Sequence, residues 1–96
     1  MSHVRTRGTL LGTQRGLEEL AAAAEAHARG PGVSVIHTLA AGNCRLTVDD
    51  VNDAVSTLSE LANSTAATNG ARRHARAVRN RLASLRRVAP LIVAAT

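Results

Sequence analysis

The sequence contains no phenylalanine, tyrosine or tryptophan. The side chains that bury the most area apiece are therefore missing, and the packing falls to eleven Leu, nine Val, two Ile and nineteen Ala. Ala-rich helices approach closely but bury little. Ninety-six residues suit one domain, and small domains bury a low fraction of their surface. So thin a core predicts that the chain gains stability by pairing with a second copy or with another protein. A deep ligand pocket is not expected from such material.

Other absences narrow the class. One cysteine excludes an intrachain disulfide, so nothing indicates a secreted, stapled fold and cytoplasmic location is the default expectation. The apolar run near the start is too short for a signal-peptide core, and Glu18 and Glu19 follow it closely. No apolar run approaches the roughly eighteen residues of a membrane span. Lysine is absent, and all twelve basic residues are arginine. With so much alanine this resembles the coding bias of a GC-rich genome, so the preference for Arg is not by itself a sign of bidentate recognition.

Acid is missing from both ends. Residues 1–17 carry three Arg and no acid, residues 18–60 carry seven acids and two Arg, and residues 61–96 carry seven Arg and no acid. The segment charges of +3, −5 and +7 make up the net +5. The basic end therefore meets an acidic partner, the acidic middle of its own chain, or that of a second copy.

Residues 1–12, with Arg5, Arg7, Gly8 and Gly12, show no periodicity and read as a flexible basic arm. A single helical domain is expected over 13–90, followed by an apolar tail over 91–96. Leu17, Leu20, Ala21, Ala24 and Ala28 follow helical spacing and predict an N-terminal helix over about 13–29. Gly30-Pro31-Gly32 ends it. Residues 33–41 alternate partly like a strand, but a lone strand has no sheet to join. A short helix over about 34–41, capped by Ser34, is the favoured assignment.

Thr47 and Asp50 stand at capping-box spacing. Behind them Val48, Val51, Val55, Leu58, Ala62 and Thr65 step by three and four, the spacing of one narrow buried seam. Ala71, Ala75, Val78, Leu82, Leu85 and Ala89 form a matching seam after a connector ending in Gly70. Residues 47–67 and 70–89 are thus predicted to form an antiparallel helical hairpin, each arm roughly 30 Å long at 1.5 Å per residue. Ala54 and Leu61 widen the first seam, which suggests that the N-terminal helix packs there. The fold class is all-α, a small helical bundle built on this hairpin.

The stretch 71–89 carries seven of the twelve Arg and no acid. On a helical wheel Arg72, Arg79 and Arg86 form a ladder beside the seam, with Arg73, Asn80 and Arg87 next to it and Arg76 mid-helix. Arg72 and Arg73 fall in the first turn, where a cation opposes the macrodipole by about 0.3–1 kcal/mol. The end of the preceding helix offers one structural role, because its orphan carbonyls near residues 65–67 accept donors. The candidate contacts with a partner or with phosphate are Arg72, Arg73, Arg76, Arg79, Arg86 and Arg87.

No catalytic, cofactor or metal site is expected. His3, His27, His37, His74 and Cys44 lack paired ligand spacing, and only His37 and Cys44 are near one another in sequence. Asp49, Asp50 and Asp53 are accounted for as a helix start. There is no glycine-rich phosphate loop and no recognisable nucleophile turn.

Ala41-Gly42-Asn43-Cys44-Arg45-Leu46-Thr47-Val48-Asp49-Asp50-Val51-Asn52-Asp53-Ala54-Val55 resembles the last loop and last helix of histone-fold proteins. The resemblance covers fifteen residues and implies a dimeric, DNA-associated fold with Arg45 and Thr47 nearest phosphate. Gly30-Pro31-Gly32 departs from it, falling where that fold has a long unbroken helix. The helix start in the lid domains of many ATPases looks similar too. The leading expectation is a non-enzymatic helical protein that self-associates or docks on a protein with an acidic surface, as a component of a larger assembly in one version. The alternative is a largely sequence-independent nucleic-acid-binding protein using the arginine face.

Overall fold

A computed structural model describes residues 11–42, 45–85 and 91–92. Among the described residues four helices run for more than one turn: α1 (Gln14–His27), α2 (Gly32–Ala40), α3 (Val48–Ala62) and α4 (Asn69–Leu85). Two two-residue strands, β1 (Arg45–Leu46) and β2 (Leu91–Ile92), pair antiparallel with Arg45 opposite Ile92 and Leu46 opposite Leu91. The architecture is the expected small helical bundle, in which α3 and α4 share the largest interface.

The helix starts follow local chemistry. Thr13 caps α1, its hydroxyl accepting from the Gly16 amide at 2.9 Å. At α3 the capping box is complete: Thr47 Oγ1 accepts from the Asp50 amide, and Asp50 Oδ2 accepts from the Thr47 amide, both at 3.1 Å. Thr68 opens α4 by accepting from the Ala71 amide at 3.1 Å.

Residues 33–40 are helical as expected, but the helix begins at Gly32 and ends at Ala40, and Ser34 is not its cap. Pro31 precedes it at φ −66°, a value preset by the pyrrolidine ring and suited to a helix start. α1 ends early as well, because Ala28 leaves in an extended conformation and Gly30 makes the turn at φ +102°.

The first hairpin arm is shorter than expected. α3 stops at Ala62 rather than at residue 67, leaving it about 22 Å long, and the described part of α4 spans about 25 Å at 1.5 Å per residue. Asn63 and Ser64 follow, poor helix formers that compete for backbone hydrogen bonds. Thr65, assigned to the seam, is exposed. The predicted end of α4 over 86–89 lies outside the described residues.

Leu17 and Leu20 of α1, Ile36 and Leu39 of α2, Val51, Leu58 and Leu61 of α3 and Val78 and Leu82 of α4 form one buried cluster. No Leu, Val or Ile between residues 11 and 85 is fully exposed. Leu11, expected in the arm, is only 2% exposed and belongs to this core. Ala54 and Leu61 are buried as expected, but α2 lies against α3 more extensively than α1 does. The reason is Gly32. An added Cβ there would lie 2.7 Å from the Asp53 carbonyl carbon and closer still to the Asp53 oxygen and Thr57 Oγ1. Without a side chain, the start of α2 can abut α3 directly. Thr57 then ties α3 to the preceding turn, donating to the Arg29 carbonyl at 3.3 Å.

The start of the predicted tail pairs with the segment before α3 in its own chain. Residues 1–10, 43–44, 86–90 and 93–96, and with them His3, Cys44 and most of the predicted arm, are not among those described.

Candidate partner-docking face

The apolar and basic halves of α4 have different fates. Ala75, Val78 and Leu82 are buried against the bundle, while Ala71 and Leu85 are half-buried at its margin. On the α3 side of the seam Val51, Leu58 and Ala62 are buried and Val48 and Val55 half-buried. The predicted seam is therefore spent inside the chain's own hairpin.

The arginines do not act as one group. Arg72, half-buried, turns back to the connector, where Nη1 donates to the carbonyls of Ser64 and Ala67 at 3.0 Å each and Nη2 donates to Asn69 Oδ1. This is the carbonyl-capping role open to it from sequence, and it withdraws Arg72 from the candidate contact set. Arg79, also half-buried, donates from Nε at 3.3 Å and Nη2 at 3.1 Å to Asn80 Oδ1. Arg73 and Arg76 remain exposed and make no hydrogen bond or ion pair among the described residues. Arg86 and Arg87 lie outside those residues.

At 100° per residue the core side of α4 centres between Val78 and Ala75. The opposite side carries Arg73, Arg76, Ala77 and Asn80. Ala77 and Asn80 are exposed too. The result is a narrow outward strip with two uncompensated guanidinium groups and a small side chain beside them.

The acids lie on other elements. Glu18, Glu19 and Glu25 are exposed on α1, with Glu19 3.5 Å from Arg15 and Glu25 3.4 Å from His37, a pair charged only when the imidazole is protonated. A shallow groove of about 300 Å³ runs between α2 and the start of α3, with Val35, Thr38, Leu46, Asp50 and Asp53 among its walls. Asp53 is half-buried there and its carboxylate has no partner among the described residues.

A second cavity, of about 490 Å³, opens between the starts of α1 and α4 beside Thr13, Gly16, Glu19, Gly70 and His74. The ring of His74 fits under two glycines: a Cβ at Gly12 would lie 3.0 Å from its Cε1 and one at Gly16 3.1 Å from its Nε2. His74 Nε2 and Gln14 Oε1 are buried without hydrogen-bond partners among the described residues. No spacing in the sequence links residues 12, 16 and 74, so this contact was not legible there. Among the described residues no group of His, Cys, Asp or Glu could hold a metal ion. None of the described helices is long and apolar enough to cross a membrane.

The segment resembling the histone fold is preceded by a nine-residue helix, itself separated from α1 by the turn at 28–31. The long central helix of that fold is absent from this architecture. Comparison with protein-family models, curated proteins and solved structures returned no significant match.

Proposed function

We propose that this chain is a non-enzymatic helical docking module whose outward α4 face seats on an acidic protein surface, as a partner subunit or within a larger assembly. One observation carries the reading: Arg73 and Arg76 are exposed without a partner among the described residues, on a helix whose apolar side is already consumed by its own bundle. Because no Leu, Val or Ile between residues 11 and 85 is fully exposed, contact at this face is led by charge. Such contacts set orientation and association rate more than raw affinity.

Nucleic acid is the competing ligand. Its case rests on a continuous ladder of arginines, and that ladder loses Arg72 to the connector carbonyls. Two free guanidinium groups close together match a local acidic patch better than an extended row of phosphates. A salt series separates the two: titrate the full chain with poly-L-glutamate and, in parallel, with a generic DNA duplex. The expected result is binding to polyglutamate that is lost in the Arg73→Glu, Arg76→Glu variant, with DNA bound weakly. DNA binding with a log K against log salt slope of about −4, the value for four or five phosphate contacts, would transfer the assignment to nucleic acid.

A further inference from the structure

We infer that the acidic partner of the α4 face is a second copy of this chain, received in the groove between α2 and α3. This rests on the docking function proposed above and identifies its partner. The chain carries two unmet electrostatic demands of opposite sign. Among the described residues, Arg73 and Arg76 present cations without partners on α4, and the half-buried Asp53 presents a carboxylate without a partner in the groove. A partly desolvated carboxylate gains more from an incoming guanidinium than a fully solvated one does.

The spacing matches. Arg73 and Arg76 are three residues apart on α4, and Asp50 and Asp53 are three apart on α3, so both pairs rise about 4.5 Å along their helices. Asp50 gives one oxygen, Oδ2, to the capping box, and Oδ1 has no bond among those described. The shapes suit each other as well. The groove is open and carries Val35 and Leu46 between its polar walls, while α4 offers the small exposed Ala77 beside its arginines, so a helix can settle close to the apolar floor.

Donor and acceptor are different patches, so the contact is heterologous. Two copies close as a dimer if both contacts form at once, and otherwise chains extend head to tail. Net charge opposes association, since two copies at +5 each repel at long range. The contact is therefore weak, with a mass that rises with protein concentration at low ionic strength and falls with salt.

The test is the mass of the full chain by sedimentation equilibrium over a concentration series at low and high salt. Wild-type chain is expected to self-associate at low salt. Arg73→Glu, Arg76→Glu should weaken this at least roughly tenfold, as should Asp53→Arg, because each sets like charges opposite one another. Mixing the two reversed variants should restore association, which neither achieves alone. Asp53→Asn, which keeps the shape and removes the charge, is the milder check should Asp53→Arg lose its helicity, and it should weaken association several-fold. A chain that stays monomeric at every concentration at low salt overturns the inference, as does a folded pair of reversed variants that fails to associate on mixing. If wild-type chain is monomeric yet binds polyglutamate through Arg73 and Arg76, the self-partner is wrong and the docking face stands. If it does neither, both fail.

Discussion

Substituting Gly32 by alanine tests the packing of the bundle at its closest point. Gly32 is buried at the first residue of α2, and the atoms around the missing Cβ belong chiefly to the backbone of Asp53. A carbonyl in the second turn of α3 cannot rotate away as a side chain would, so the added methyl must push α2 off α3. Overpacking of this kind costs about 1–3 kcal/mol. Against it stands a gain below about 1 kcal/mol from replacing glycine in a helix, smaller still in the first turn. A net loss of about 2 kcal/mol lowers Tm by about 8–16 °C in a domain this size. Urea and thermal denaturation followed by far-UV circular dichroism measure it. Gly70→Ala is the control: nothing lies within 4 Å of its added Cβ, so it should be neutral or stabilising by up to about 1 kcal/mol. Combining Gly32→Ala with Thr57→Ala removes one contact but leaves the Asp53 carbonyl, so the double variant should remain at least about 1 kcal/mol below Thr57→Ala alone. A Gly32→Ala chain as stable as wild type, with Gly70→Ala unchanged, would refute the close approach of α2 and α3.

Two further perturbations address the hairpin. Leu58 is fully buried in the seam, so Leu58→Ala should cost about 2–5 kcal/mol and Leu58→Asp should unfold the chain; unchanged helicity in the aspartate variant would sink the seam. Arg72→Ala removes both guanidinium bonds to the connector carbonyls and should cost about 1–2 kcal/mol, whereas Arg76→Ala should leave the melting curve in place. Equal stability of the two variants would mean that Arg72 does not cap the connector.

Much of the bundle was legible in the sequence because its signals are local. The three-and-four spacing from Val51 to Ala62 and from Ala75 to Leu82 reports which side of a helix is apolar, whatever it packs against. Thr47 and Asp50 make their bonds within one turn, so no knowledge of the rest of the chain was needed. The misplaced boundaries were those decided at a distance. Ser34 is a good cap by composition, yet α2 starts at Gly32, where a glycine is needed because α3 passes beside it. Leu11 falls in the predicted arm because the adjacent Leu10 and Leu11 show no periodicity, and only the packed core accounts for the burial of Leu11.

The candidate face divides along the same line. By itself the sequence determined that an arginine-rich helix with one apolar side occupies the last third of the chain, since charge content and periodicity are properties of the chain alone. Which arginines are available was decided only by tertiary structure. Arg72 and Arg73 are adjacent and identical in type, but 100° of helical rotation turns one onto the connector carbonyls and the other to solvent. The same holds for the acids: Asp53 reads as part of a helix start, and its place in a groove with Val35 and Leu46 exists only because α2 folds back across a residue without a side chain. Hydrogen-bond partners and grooves are relations between elements, and the burial that creates them is settled when those elements pack.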